Sequence, residues 1–214
     1  MQKQHSKLLA MLKQVPNILT FGRLILTILF LVMLFYSPYV SNRTPFIDVA
    51  FVIFVIAGLT DIVDGPIARK LNVASKFGRM LDPLADKVLV CGAFVCFAVI
   101  GEPAVLFNLS AAALHIIRWS VAAVLIGREG YVTALRHVAE AKGIDFRAVA
   151  SGKIKMLIQS FAVGTILVKA AHAPAATWGH WFTAITLAVM LTVTVISAFS
   201  ATRRTRLGDL SGVA

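Results

Sequence analysis

The stretch that decides the fold runs from Asp61 to Asp86. It reads Asp61-Ile62-Val63-Asp64-Gly65-Pro66-Ile67-Ala68-Arg69, then eight residues, then Gly78-Arg79-Met80-Leu81-Asp82-Pro83-Leu84-Ala85-Asp86. Four of the chain's ten acidic residues lie here, and the flanks Val49–Thr60 and Val88–Gly101 contain no Asp, Glu, Lys or Arg. Separations of three and four residues place side chains on one helical face, so Asp61 and Asp64 share a face, as do Asp82 and Asp86. Insertion scales charge roughly 3 kcal/mol for each mid-membrane Asp, so the set would cost about 10 kcal/mol if left unpaired. Such a cluster has to be neutralised, and divalent cations with oxygen ligands do that best.

Working outward, the 214 residues are 58% hydrophobic and 14% charged. That apolar share exceeds a soluble domain's and points to a polytopic membrane protein. The net charge is +11, but the cations segregate by position as the positive-inside rule predicts, so nucleic acid is not the expected partner. Cys91 and Cys96 are five residues apart in an apolar segment, which favours two small core side chains over a disulfide or thiolate metal site. The first apolar run, Leu24 to Asn42, lies between Arg23 and Arg43 and is too long for a signal-peptide core. It reads as a retained span.

The fold expected is all-α and integral to the membrane, with six transmembrane helices and an N-terminal amphipathic surface helix. Residues 1–15 mix Lys and Gln with Leu and Met, which suits a juxtamembrane helix lying on the bilayer; a solvated N-terminus is the competing reading. Residues 16–214 form a single domain ending in a basic tail. The spans are expected near 17–36, 46–71, 78–100, 109–128 (with its helix continuing into the cytosol), 151–171 and 178–201, with turns at 37–45 and 172–176. Six spans put both termini on one side, and most Lys and Arg fall there, which assigns that side to the cytoplasm. Arg43, Lys169 and Arg118 lie toward the other side, where Trp178 and Trp181 fit an interfacial belt.

In this topology Asp61 and Asp64 descend toward a short basic loop, and Asp82 and Asp86 rise away from it. The four carboxylates can then converge near the cytoplasmic boundary and suit two Mg²⁺ or Mn²⁺ ions about 3.5–4 Å apart, the arrangement that activates both ends of a phosphoryl displacement. Gly65 and Ala68 share a face, and either admit a ligand to the backbone or simply pack a helix. Gly78 permits close helix contact. Pro66 lacks an N–H and leaves the Ile62 carbonyl without its usual helical partner.

Asp61, Asp64, Gly65, Ala68, Arg69, Gly78, Asp82 and Asp86 together resemble, without a gap, the D-x2-D-G-x2-A-R-x8-G-x3-D-x3-D signature of the CDP-alcohol phosphotransferases. Eight fixed positions at these spacings are highly specific. The resemblance implies a six-span membrane enzyme, usually a homodimer, that transfers a CMP-activated phosphatidyl or phosphoalcohol group to a second alcohol and releases CMP. It implies that Asp61, Asp64, Asp82 and Asp86 hold two metal ions and that Asp86 is also the catalytic base. It further implies that Gly65, Ala68, Arg69 and Gly78 line the CDP-binding region.

Outside the signature, Pro16-Asn17-Ile18-Leu19-Thr20 with Arg23, Leu81–Lys87, Arg128-Glu129 with Ala134-Leu135-Arg136, and Gly152-Lys153-Ile154-Lys155 with Gln159 resemble the branch of that family that uses glycerol 3-phosphate as acceptor. This implies CDP-diacylglycerol and glycerol 3-phosphate as substrates, in an inner (cytoplasmic) membrane with the active site facing the cytoplasm. Arg128, Arg136, Lys153 and Lys155 are then the candidate acceptor-phosphate residues, the arginines offering a bidentate fork; ordinary positive-inside charge is the competing reading. Phosphatidylglycerol, an inositol phosphate and serine remain alternative acceptors. A divalent-cation transporter would also place carboxylates in the membrane, but leaves Gly65, Ala68 and Arg69 unexplained. The interval from Lys87 to Arg128, which carries His115 and Arg118, is longer than this branch needs and reads as an outer-surface insertion or as a different substrate device.

Overall fold

The structure, a computed structural model, describes the backbone of residues 20–71, 76–103, 109–141 and 150–211; side chains are described there except at 61–71, 76–83, 140, 150–153 and 204–211. All of its regular elements are helical. Helix α1 covers 20–36 and passes into a 3₁₀ turn, Ser37–Tyr39. The others are α2 (Arg43–Leu71), α3 (Lys76–Ile100), α4 (Ala111–Ala141), α5 (Ala150–His172) and α6 (Thr177–Ser211). Among the described residues five helical segments are long and apolar enough to cross a membrane, in α1, α2, α4, α5 and α6. In α3 the stretch from Val88 to Ile100 contains no Asp, Glu, Lys or Arg. The protein is therefore an all-α, multi-pass membrane protein.

The distribution of side chains follows from that solvent. Large apolar side chains point outward, among them Leu157, Trp178 and Phe199, each about 70% exposed. The polar ones turn inward: Thr20, Arg23, Thr27, Lys155, Gln159, Lys169, His180, Thr194 and Ser197 are all buried. Lipid supplies no hydrogen bonds, so polar groups in a span must find one another inside the protein.

The chain divides into two compact units, Met1–Cys96 and Phe97–Ala214. In the first, α1 packs on α2 through Phe30 and Phe54, whose ring centroids are 5.2 Å apart. It also packs on α3, where Cys96 Sγ lies 3.9 Å from the Leu31 carbonyl. Gly92 lets the helices approach: a methyl group there would meet Leu31 Cδ1 at 2.8 Å. Cys91 and Cys96 are free thiols. Both α2 and α3 continue as helix through their prolines, Pro66 and Pro83. The freed Ile62 carbonyl therefore does not end α2, in keeping with the tolerance of membrane helices for proline.

In the second unit α6 packs against both α4 and α5. The exit from α3 is a Schellman-type stop: Gly101 takes φ +82°, and Glu102 N donates to Phe97 O at 2.9 Å. Arg118 of α4 donates from Nε to Pro103 O at 3.2 Å, so it ties this turn to α4 in place of simply reaching for the interface. Ser110 caps α4, its Oγ accepting from Ala113 N at 3.2 Å. Between α5 and α6 the turn 173–176 is closed by Ala176 N donating to Ala173 O at 3.3 Å, after Ala173 N donates back to Lys169 O at 3.0 Å. Lys169, expected toward a membrane surface, is 5% exposed. The expected amphipathic helix at 1–15 lies outside the described residues.

Candidate active site

Helix α2 carries Asp61 and Asp64 one turn apart, and α3 carries Asp82 and Asp86 one turn apart. This backbone arrangement is the one the spacing predicts. Of the four, only the Asp86 side chain is among those described; the side chains of Asp61, Asp64 and Asp82, and of Gly65, Ala68, Arg69, Gly78 and Lys153, lie outside them. Among the described residues no three His, Cys, Asp or Glu side chains gather into a metal-binding group.

Asp86 is half-buried and accepts Arg23 of α1, with Nη1 3.2 Å from Oδ1; the guanidinium side chain is 1% exposed. A guanidinium on an apolar helix has to be paired to be tolerated there. The partner it finds is the last carboxylate of the signature. A charge-assisted bond of this kind fixes one carboxylate oxygen in direction. Sequence reading noticed Arg23 only as part of a resembling block and did not assign it to the site. The available signal was its position, a lone cation immediately before an uncharged run.

The second unit gathers two of the four candidate acceptor residues. Arg128 Nη1 donates to Glu129 Oε1 at 3.0 Å, and the Lys155 ammonium donates to the same oxygen. Arg128 Nη2 donates to Ser197 Oγ on α6 at 2.9 Å. The three charged side chains are 9–14% exposed. Among the described side chains, two cations share one carboxylate. One turn along α5 from Lys155, Gln159 Nε2 lies 3.4 Å from Thr194 Oγ1 of α6. Arg136 is exposed, about two turns beyond Arg128 on α4. In the sequence Glu129 is only a member of a motif; that it is the shared partner of both cations emerges once α4 and α5 both pack against α6.

Comparison with known proteins matches these features. A family model described as CDP-alcohol phosphatidyltransferase matches residues 13–203. The chain is 29% identical over 204 residues to a probable phosphatidylglycerophosphate synthase of Mycobacterium tuberculosis, covering 95% of this chain and 87% of that protein. It is 37% identical over 161 residues to the CDP-diacylglycerol–glycerol-3-phosphate 3-phosphatidyltransferase of Bacillus subtilis, covering 72% and 76%. The enzyme of the same name from Escherichia coli strain K12 is 37% identical over 158 residues, with 72% and 76% covered. A gap-free eight-position signature carried on two membrane helices, within a match over nearly the whole chain, places this protein in the CDP-alcohol phosphatidyltransferase family.

Proposed function

We propose that this enzyme transfers the phosphatidyl group of CDP-diacylglycerol to sn-glycerol 3-phosphate, giving phosphatidylglycerophosphate and CMP. The observation that carries the choice of acceptor is the cluster in which Arg128 and Lys155 are held side by side on Glu129. A small phosphorylated acceptor needs such a place, whereas serine, which carries no phosphate, does not. The names of the Bacillus subtilis and Escherichia coli relatives agree with this acceptor.

In the proposed reaction Asp86 takes the proton of the acceptor hydroxyl. The acceptor oxygen forms a bond to the phosphorus that carries diacylglycerol, and the bond from that phosphorus to the bridging oxygen breaks, so CMP leaves with that oxygen. Arg23 holds Asp86 in one orientation for this step. Asp61, Asp64, Asp82 and Asp86 form an all-oxygen, hard donor set on two helices, the chemistry that fits two Mg²⁺ or Mn²⁺ ions. When bound, these would neutralise the diphosphate and improve CMP as a leaving group. Gly65, Ala68, Arg69 and Gly78 would border the CDP moiety, while Arg136 and Lys153 would add positive charge for the acceptor.

The same reading makes the protein a homodimer of the inner membrane with both termini and the active site cytoplasmic. Residues 1–15 would lie on the bilayer as an amphipathic helix ahead of the catalytic domain 16–214. The bias of Lys and Arg supports the orientation. The deciding experiment offers purified protein labelled CDP-diacylglycerol, Mg²⁺ and each acceptor separately. Product is expected with glycerol 3-phosphate; transfer to phosphatidylglycerol, an inositol phosphate or serine without transfer to glycerol 3-phosphate would overturn the proposal.

A further inference from the structure

The cluster around Glu129 has more order than phosphate binding by two cations alone would need. Ser197 donates its hydroxyl proton to Thr194 O at 2.7 Å, which leaves its oxygen as an acceptor, and Arg128 Nη2 donates to that oxygen at 2.9 Å. Nη1 of the same guanidinium donates to Glu129 Oε1 at 3.0 Å. Held at two of its three nitrogens, the planar group has no freedom to turn, so the direction of the third N–H is set. That third donor, Nε, is buried and has no hydrogen-bond partner among the described residues. Buried donors are normally satisfied, and one left over in a polar cluster marks a place for an acceptor atom from elsewhere.

Glu129 does a second thing. Arg128 and Lys155 are like charges brought close in a region of low dielectric, where repulsion would drive them apart. One carboxylate oxygen bonded to both keeps them together. Thus α4, α5 and α6 each contribute a group to one arrangement: Arg128 and Glu129, Lys155, and Ser197.

We propose that Glu129 and Ser197 are positioning residues for the acceptor phosphate. Glu129 pins Arg128 beside Lys155, Ser197 fixes the roll of the guanidinium, and Arg128 Nε–H is the donor kept for a phosphate oxygen. This rests on the acceptor reading above and extends it to α6, whose sequence is otherwise only generically apolar.

Steady-state kinetics of the full-length protein in detergent test the proposal, with each substrate varied in turn. Glu129→Gln keeps the shape and one carbonyl oxygen but removes the charge; Ser197→Ala removes the acceptor on Arg128. KM for glycerol 3-phosphate is expected to rise about tenfold in Glu129→Gln and about threefold in Ser197→Ala. KM for CDP-diacylglycerol and kcat should stay within about twofold. Ser197→Thr, which retains a hydroxyl, should return KM to the wild-type value. Unchanged KM for glycerol 3-phosphate in both variants, or parallel changes in KM for both substrates, would overturn the proposal. Ser197→Ala decides the matter if Glu129→Gln fails to fold. Lys155→Gln separates the two layers of argument. A raised KM for glycerol 3-phosphate in Lys155→Gln, with neither other variant affected, would remove only the positioning role. An unchanged KM in Lys155→Gln would remove the acceptor site itself.

Discussion

In the unit Met1–Cys96, a guanidinium from α1 meets a carboxylate of α3; in the unit Phe97–Ala214, a carboxylate of α4 meets a guanidinium and an ammonium. Each places ionised groups where exposure to lipid would be prohibitive, and each compensates them by pairing. They differ in stoichiometry. The first pairs one carboxylate, the last of the signature, with one guanidinium. In the second, one carboxylate serves two cations. Carboxylates suit metal ions, and clustered cations suit phosphate. The chemistry of a phosphatidyl transfer between two phosphorylated molecules calls for both.

The comparison breaks most sharply at the carboxylates. Removing divalent cations with a chelator should reduce CMP release to background, and restoring Mg²⁺ or Mn²⁺ should recover it. Asp86→Asn should lower kcat by about 10²–10⁴-fold, the usual contribution of a positioned base, while metal binding measured by calorimetry largely persists. Unchanged turnover in Asp86→Asn would remove it as the base. Arg23→Gln should reduce kcat about 10-fold and destabilise the protein by about 1–3 kcal/mol, since it withdraws the partner of a carboxylate that keeps partial contact with solvent. Lys at position 23, shorter and without a fork, should recover only part of either loss.

Smaller effects sharpen the contrast between charged pairs that serve chemistry and contacts that serve architecture. Arg118→Ala loses the bond to Pro103 O and should lower thermal stability by about 1 kcal/mol without changing KM for either substrate. Gly92→Ala should be nearest to neutral, within about 1 kcal/mol, because the atom it meets is the mobile end of Leu31. A large fall in Tm for Gly92→Ala would mean that α1 and α3 are locked together more tightly than a leucine rotamer allows.

Most helix positions could be read from apolarity. Spans expected at 46–71, 78–100 and 151–171 appear as Arg43–Leu71, Lys76–Ile100 and Ala150–His172. The end of α6 could not, because apolarity stops near Ala201 whereas backbone hydrogen bonding carries the helix on through Arg203 to Ser211. Arg118 illustrates a different gap. Its sequence context said cation near an interface, but its tether is a carbonyl on a turn whose path depends on Gly101. The pairings of Arg23 with Asp86 and of Glu129 with Lys155 link residues distant in the chain. Helical periodicity says which face a residue occupies and nothing about what another helix brings to that face.

The outward placement of Leu157, Trp178 and Phe199, with threonine, lysine and histidine inside, means that this chain never meets water along most of its flank. Its melting temperature is consequently a joint property of polypeptide and amphiphile. A change of micelle would shift every variant together, so differences between variants in one detergent are the quantity that reports on the protein.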